Sequence, residues 1–414
     1  MDGEGASRSA WTYDVVGYHG GDFGLAIAAR QTLVALRGSG RSVRPITLEP
    51  SPRPAQRDRV ARSMRAGRQA GSDQTIALFH VNPLEIAQHS FQWQAEVEPE
   101  ARSACVPFWE LPVIPRSWEG ILGGMDAILA PTRFIQEACA RVVGSDRVLH
   151  YPQAVTLPRK VFADRAAWGL SPTATVFLVT FHVGSGIDRK NPWAALAAFR
   201  RAFPGSEDVQ LVIKSRPWSE VRELAEQFQR LREETASDTR ILVVDQNLPY
   251  DDVMRLYASC DALVSLHRSE GLGLHLMEAM SLGKAVVATG WSGNLDFMTD
   301  ANSVLVPFAL VPIDPVHPHY RVERSRPGQV WAEPDVDAAA RSLRRLFEDS
   351  AWKEQLGRQA ALDMEGRRVA SAQAATFAAL EGRLSRLRRR SLGTAVWRTR
   401  WRLTFRGWRE LAGL

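Results

Sequence analysis

The segment Ser265–Asn294 combines residue types that could bind a phosphorylated ligand. It contains a Glu-Gly-Leu-Gly turn, residues 270–273, between a short apolar strand pattern and a helical pattern that begins near Leu274. Glycines let the backbone approach a ligand closely, and a helix N-terminus presents amides that have no partner within the helix. The arrangement therefore suits an anion such as a diphosphate.

Two glutamates accompany this turn, Glu270 within it and Glu278 eight residues later in the helix. A carboxylate beside an anion is unfavourable unless it accepts hydrogen bonds, and the hydroxyls of a sugar or a ribose are good donors. The alternative is that Glu270 is a capping carboxylate and Glu278 a surface residue of the helix. The residues alone leave both interpretations open.

The run SEGLGLHLMEAMSLGKAVVAT, residues 269–289, resembles the signature of the retaining family-4 glycosyltransferases, which have the GT-B fold. Glu270 and Glu278 match that family's E-x7-E motif. The resemblance implies that Glu270 contacts hydroxyls of the donor sugar and acts in catalysis, and that Glu278 binds the ribose of the nucleotide. It also implies that backbone amides meet the diphosphate and the sugar, those around Gly271, Leu272 and Gly273.

The segment Phe177–Phe199 resembles the first strand, loop and helix of that family's nucleotide-binding domain. The resemblance implies a point charge from Lys190, which we count as catalytic, and a planar fork from Arg189 near the phosphates. Family members usually carry an arginine after the loop glycine, where this sequence has Ser185. The second phosphate cation is therefore open between Arg189 and Lys214. Outside the resemblance, basic residues at a helix start are most often solvated.

Three further positions match the family more loosely. Gly21 lies in a loop that resembles the glycine-rich loop under the donor diphosphate, although any tight strand-to-helix turn looks similar. Glu110 lies in a Trp-Glu-Leu-Pro run where many members carry a catalytic-site histidine, and the resemblance gives it a polar role beside the sugar. The alternatives are a structural strand end, or a substitute histidine at His80. Gln246 follows a strand where the family binds the base, largely through backbone groups.

No metal or other cofactor is expected. The Asp-Val-Asp run at residues 335–337 looks like a metal-binding D-x-D signature, but it directly precedes a helical pattern, so capping by Asp335 explains it better. The nucleoside-diphosphate sugar is a co-substrate. We expect Lys and Arg side chains, backbone amides and a helix dipole to meet its diphosphate charge.

The elements that position these residues form two series of short apolar strand patterns alternating with helical patterns. Such alternation predicts an α/β protein with two Rossmann-like, doubly wound domains, and the GT-B resemblance implies that they face each other across a cleft. We expect an acceptor-side domain at residues 1–160, a nucleotide-sugar-binding domain at 161–380 and a helical tail at 381–414. The Pro-rich segment Pro307–Pro334 predicts a long loop, and the Arg-rich segment Ser51–Asp73 a loop or a solvated helix.

The composition is that of a globular protein whose basicity lies in the tail. Of 414 residues, 45% are hydrophobic and 24% charged, which is ample for packed cores and argues against disorder. The net charge of +6 combines +8 from the last 34 residues with −2 from the rest. Three cysteines cannot form a disulfide framework, and no signal-peptide or membrane-spanning pattern is present. We therefore expect buried free thiols and a cytoplasmic protein.

The tail has tryptophans and phenylalanine at helical spacing beside a stripe of arginines, within residues 395–414. An Arg-rich amphipathic helix with aromatic residues suits an anionic membrane surface, which predicts peripheral attachment to the inner face of the cell membrane. The alternative is a helix that packs back on the body. No nucleic-acid recognition motif accompanies the charge.

Together these patterns predict a metal-independent, retaining glycosyltransferase. It would move a sugar from a nucleoside-diphosphate sugar to a hydroxyl acceptor, a glycan or lipid-linked glycan in cell-surface polysaccharide or glycolipid synthesis. Two alternatives remain: a nucleotide-sugar epimerase of the same fold, and a non-catalytic partner subunit.

Overall fold

The computed structural model describes residues 11–21, 23–49, 74–205, 207–216, 222–314, 317, 320, 328–368 and 371–400. The segment predicted as an Arg-rich loop or helix and the last 14 residues lie outside this part of the chain. The described residues form two units. None of their helices is both long and apolar enough to cross a bilayer.

The first unit is built on a sheet of six parallel strands. Its elements up to residue 150 are β1 (Trp11–Gly17), α1 (Gly24–Gly38), β2 (Ser42–Thr47), β3 (Gln74–Phe79), α2 (Pro83–Gln88), α3 (Ser90–Gln94), β4 (Arg102–Cys105), α4 (Arg116–Gly124), β5 (Ala127–Ala130), α5 (Arg133–Val143) and β6 (Val148–His150). The strand order is β2-β1-β3-β4-β5-β6, and every pair is parallel. The order therefore reverses between β1 and β3.

The second unit has a second sheet of six parallel strands. Its elements are β7 (Thr175–His182), α6 (Ile187–Lys190), α7 (Pro192–Ala202), β8 (Val209–Arg216), α8 (Arg222–Thr235), β9 (Ile241–Val244), α9 (Tyr250–Ser259), β10 (Ala262–Ser265), α10 (Leu274–Ser281), β11 (Ala285–Thr289), β12 (Val304–Val306), β13 (Phe308–Pro312), β14 (Val330–Pro334), α11 (Val336–Glu348) and α12 (Ser350–Arg368). The strand order is β12-β11-β10-β7-β8-β9, so it reverses between β7 and β10.

Local sequence explains these elements. All five residues of β11, Ala-Val-Val-Ala-Thr, are buried, as expected for a parallel strand covered on both faces. Helix α5 begins after Thr132, whose side chain accepts a hydrogen bond from the amide of Ile135, and Asp335 caps α11 in the same way. The predicted doubly wound α/β architecture in two units is confirmed, and all three cysteines are buried free thiols.

The segment predicted as a long loop, residues 307–334, is different in the structure. Strands β13 and β14 lie at its two ends and pair antiparallel, with Phe308 opposite Pro334 and Pro312 opposite Val330. Prolines in both strands mask the strand pattern in the sequence, and they are tolerated because this pair is a separate two-stranded sheet. The prediction of a loop was wrong for both ends of the segment.

The C-terminal residues also differ from the expected ranges. Helix α13 (Ser371–Leu384) and helix α14 (residues 392–400) belong to the first unit, whereas we expected one domain to end at 380 and a tail to follow. Phe377, Leu380 and Leu384 are fully buried in the core of the first unit. The carboxylate of Glu381 accepts hydrogen bonds from the Tyr13 hydroxyl at 2.9 Å and from Arg41 Nε at 2.7 Å.

Candidate active site

The reversal of strand order in the second sheet gathers the predicted donor-site residues. In doubly wound sheets, ligands bind outside the carboxyl ends of the strands where the order reverses. Arg189 and Lys190 end α6, which follows β7, and Glu270 lies in the turn that follows β10. These two strands are neighbours in the sheet, so residues 80 positions apart in the chain meet at one edge.

Glu270 is held between the two basic residues. Its Oε1 lies 2.5 Å from Lys190 Nζ and 3.2 Å from a terminal nitrogen of Arg189. Arg189 also donates hydrogen bonds to the carbonyls of Ser269 at 2.8 Å and Ser185 at 2.9 Å. The Arg189 side chain is therefore held in place by these two carbonyls and is only 2% exposed, whereas the half-buried Lys190 lies nearer to solvent.

The electrostatics of this cluster keep Glu270 ionised. Burial alone would raise the pKa of the carboxyl, but the charges of Lys190 and Arg189 outweigh burial and hold the pKa below its ordinary value. A buried carboxylate of this kind can accept hydrogen bonds but cannot donate one at neutral pH. The cluster therefore offers an acceptor for hydroxyl groups directly beside a positive charge suited to phosphate.

Backbone geometry brings the glycine turn close to a neighbouring loop. Gly273 has φ +85°, a left-handed conformation that glycine adopts without strain, and it precedes the first turn of α10. The Ser292 hydroxyl accepts a hydrogen bond from the amide of Glu270 at 2.8 Å. A Cβ on Gly293 would lie 2.1 Å from the carbonyl oxygen of Gly271, so only glycine fits there. The loop after β11 thus fixes the turn that carries Glu270, Gly271, Leu272 and Gly273.

Glu278 lies inside α10 and is 5% exposed, so it is not a surface residue of the helix. Within the described part of the chain, its Oε1 accepts no hydrogen bond. Burial raises the pKa of this carboxyl to about 8, against a smaller lowering effect of the Tyr250 hydroxyl. Glu270 and Glu278 therefore differ in charge state near neutral pH, although both are buried glutamates of one motif.

Lys214 and Gln246 are also brought together. Lys214 lies near the carboxyl end of β8, is 5% exposed, and donates a hydrogen bond from Nζ to the backbone carbonyl of Gln246 at 3.2 Å. The side chain of Gln246 is exposed just beyond β9. Gln246 thus engages Lys214 through its main chain.

Sequence reasoning missed His267 and His275, which lie in the same run as Glu270. Burial lowers the pKa of His267 to about 4, so the fully buried imidazole is neutral at pH 7. The pKa of His275 is also lowered, first by burial and then by the charge of Lys190. The sequence contains one signal that could have indicated them, namely two histidines eight residues apart, one just before Glu270 and one between Glu270 and Glu278. They add no positive charge to the cluster at neutral pH.

The hairpin β13–β14 supports the same edge of the second sheet. Arg268 donates to Glu333 Oε2 at 2.7 Å and to the Asp188 carbonyl at 2.8 Å, and its guanidinium lies over the ring of Trp331. The amide of Ala332 donates to the carbonyl of Arg268 at 2.8 Å. Arg268 therefore connects the loop after β10 to α6, the two segments that carry the ion cluster, and the hairpin packs against Arg268.

Gly21 and Glu110 belong to the first unit. Gly21 lies in the turn after β1, where its carbonyl accepts a hydrogen bond from Arg30 at 2.6 Å. Glu110 is half-buried after β4. The preceding Trp109 donates from its indole nitrogen to the Val113 carbonyl at 2.9 Å. His80 is fully buried against the Thr32 hydroxyl at 2.9 Å, and burial lowers its pKa to about 3.

Residues 174–311 match the family model described as Glycosyl transferases group 1. The match covers about a third of the chain and contains the ion cluster, the glycine turn, Glu278, Lys214 and Gln246. Gly21 and Glu110 lie outside it. A search of curated proteins returns no match.

Several solved structures resemble the chain over most of its length. The sucrose-phosphate synthase of Thermosynechococcus elongatus aligns with a TM-score of 0.61 at 18% identity, covering 90% of this chain and 99% of that one. HepE of Anabaena, in complex with UDP and glucose, gives 0.59 at 13% identity, with coverages of 91% and 100%. The apo structure of OtsA gives 0.57 at 10% identity, with coverages of 89% and 98%. The expected GT-B fold class is thereby confirmed.

Proposed function

We propose that the protein is a retaining glycosyltransferase that uses a nucleoside-diphosphate sugar as donor and a hydroxyl group as acceptor. One observation carries the proposal: Glu270 is held ionised between Lys190 and Arg189 at the strand-order reversal of a group 1 glycosyltransferase segment. The complex of HepE, a protein of similar fold, with UDP and glucose supports the class of donor.

In this proposal, each member of the cluster has a distinct task. Glu270 accepts hydrogen bonds from donor-sugar hydroxyls and so orients the sugar. Lys190, the more accessible cation, stabilises charge that develops on the departing diphosphate, while Arg189 and the amides of the glycine turn add fixed positive potential. Glu278 accepts from the ribose, Lys214 is the second candidate phosphate cation, and Gln246 borders the base. For Gly21 and Glu110 of the first unit, the proposed role rests on the family resemblance alone.

The reaction needs no metal in this proposal, because lysine, arginine and amides meet the diphosphate charge. Among the described residues, no group of three His, Cys, Asp or Glu side chains is placed to hold a metal ion. Retention would follow from front-face transfer, in which the leaving phosphate takes the proton of the acceptor hydroxyl. We propose a glycan or a lipid-linked glycan as the acceptor. We also propose peripheral attachment to an anionic membrane, because Trp397 and Phe91 are 66% and 73% exposed in an Arg-rich first unit.

The first test is turnover with a panel of nucleoside-diphosphate sugars, with and without glycan acceptors. Glu270→Gln should lower kcat/KM by about 100-fold or more, since it removes charge-assisted hydrogen bonds to the sugar and the negative charge that Lys190 and Arg189 pair with. Glu354→Gln is the matched control, because that side chain is 65% exposed on α12. Equal turnover of the two variants would sink the proposal, and epimerised donor without transfer would indicate an epimerase.

A further inference from the structure

A cavity of about 400 Å³ opens on the first unit between helices α4 and α14. Three glycines of α4, Gly120, Gly123 and Gly124, form one wall. At Gly124 the helices touch, because a Cβ there would lie 2.6 Å from the Cβ of Ala395. At Gly123 a Cβ would meet nothing within 4 Å, so the missing side chain leaves open space.

The opposite wall of the cavity consists of Ala395 and five residues with polar side chains. It presents two guanidinium groups and three hydroxyls, from Arg390, Arg398, Ser391, Thr394 and Thr399. Among the residues that the structure describes, no carboxylate lines it. Guanidinium groups and hydroxyls together are the usual ligands of phosphoryl oxygens, and the N-terminal end of α14 adds a favourable dipole.

Among the described residues, neither Arg390 nor Arg398 forms an ion pair with a carboxylate, whereas the neighbouring Asp126 is paired with Arg102 at 3.3 Å. The neighbouring carboxylate, Asp126, is buried and accepts hydrogen bonds from the backbone amides of Ser103 and Arg390, at 2.8 and 2.7 Å. The pKa of Arg147 is lowered first by burial and then by repulsion from Arg390. An anion in the cavity would relieve that repulsion.

We propose that this cavity binds a phosphoryl group, with Arg390 and Arg398 as its cationic ligands. It is a second anion site, because all of its lining residues belong to the first unit and the donor-site cluster belongs to the second. The phosphoryl group comes from a lipid headgroup or from a soluble phosphate. The inference does not depend on the proposed glycosyl transfer.

Two matched pairs of variants in the full chain test the site. Gly123→Glu places a carboxylate in the open space, and Gly123→Gln fills it equally without charge. Arg398→Gln removes a lining cation, and Arg388→Gln removes an exposed arginine outside the cavity. Orthophosphate binding is measured by equilibrium dialysis at constant ionic strength. Sedimentation with phosphatidylcholine vesicles, with and without phosphatidylglycerol, measures lipid binding, and thermal melting checks folding.

Gly123→Glu and Arg398→Gln should weaken binding by about tenfold, while their partners stay within about twofold of the parent protein. If this pattern of losses appears in vesicle sedimentation, the ligand is a lipid headgroup. If the pattern appears with orthophosphate and not with vesicles, the ligand is a soluble phosphate. Equal binding within each pair in both assays, or no binding in either, overturns the proposal.

Discussion

At the scale of single residues, the candidate site contains two glutamates in opposite charge states. Glu270 is ionised because two cations lie within 3.2 Å, and Glu278 keeps its proton to about pH 8 because burial is nearly uncompensated. The sequence pairs them in one motif and cannot distinguish them. The difference in charge state comes from residues distant in the chain: Lys190 and Arg189 lower the pKa of Glu270, whereas Glu278 has only the smaller effect of Tyr250.

The state of Glu278 predicts a pH dependence of stability. Its folded pKa of about 8 lies above the ordinary value of 4.5, so its contribution to stability is complete below about pH 4.5 and is lost as the pH rises towards 8. Glu278→Gln cannot ionise, so its free energy of unfolding relative to the parent should increase over that range, by at most about 1.4 kcal/mol per pH unit. Urea unfolding at several pH values measures this difference. A difference that does not change with pH would refute the assigned state, and Glu354→Gln serves as control.

At the scale of elements, the hydrogen bond by which Arg268 joins the loop after β10 to α6 is predicted to support donor binding. Arg268→Ala removes the hydrogen bond to the Asp188 carbonyl as well as the ion pair with Glu333, and it should weaken nucleoside diphosphate binding by about tenfold. Glu333→Gln breaks only the ion pair, in which Glu333 is 42% exposed, and should have little effect. Calorimetric titration compares them, and equal affinities would argue against the supporting role.

Because helix α13 is part of the first unit's core, we expect truncation within this helix to destabilise the protein. A chain ended after Leu380 loses the buried Leu384 and leaves Arg41 and Tyr13 without Glu381, which together should cost at least about 5 kcal/mol. We expect that chain to unfold at a much lower urea concentration than the parent.

A chain that ends after Arg400 should keep turnover on a soluble acceptor and bind anionic vesicles more weakly than the parent. Full vesicle binding by this chain would argue against the membrane proposal.

The elements also show what a sequence can and cannot predict. Strands such as β5 and β11 are recognisable in the sequence, because parallel strands that are covered on both faces are continuous apolar runs. Helices α2 and α3 have six and five residues, which is too short for a helical period to show in the sequence. The bond between Glu270 and Ser292 and the ion pair between Arg41 and Glu381 join residues 22 and 340 positions apart. Such partners depend on strand order and packing, which local patterns do not contain.

At the scale of the whole molecule, the charge is distributed between different tasks. The net +6 arises from the C-terminal segment, whose described part packs on the first unit and lines the cavity beside α4. The second unit instead uses a few cations, Arg189, Lys190 and Lys214, placed at the edge of its sheet. The net charge alone therefore indicates neither the cavity beside α4 nor the cluster around Glu270. Both are defined by the placement of individual side chains.

We propose that the cations beside Glu270 bind the diphosphate of a nucleotide sugar. The most direct measurement is calorimetric titration of a panel of nucleoside diphosphates into the parent protein, Lys190→Met and Lys160→Met, which removes an exposed lysine. One nucleoside diphosphate should bind the parent and Lys160→Met alike and bind Lys190→Met at least about tenfold more weakly. Equal affinity of all three proteins, or no binding of any nucleoside diphosphate, would contradict the claim.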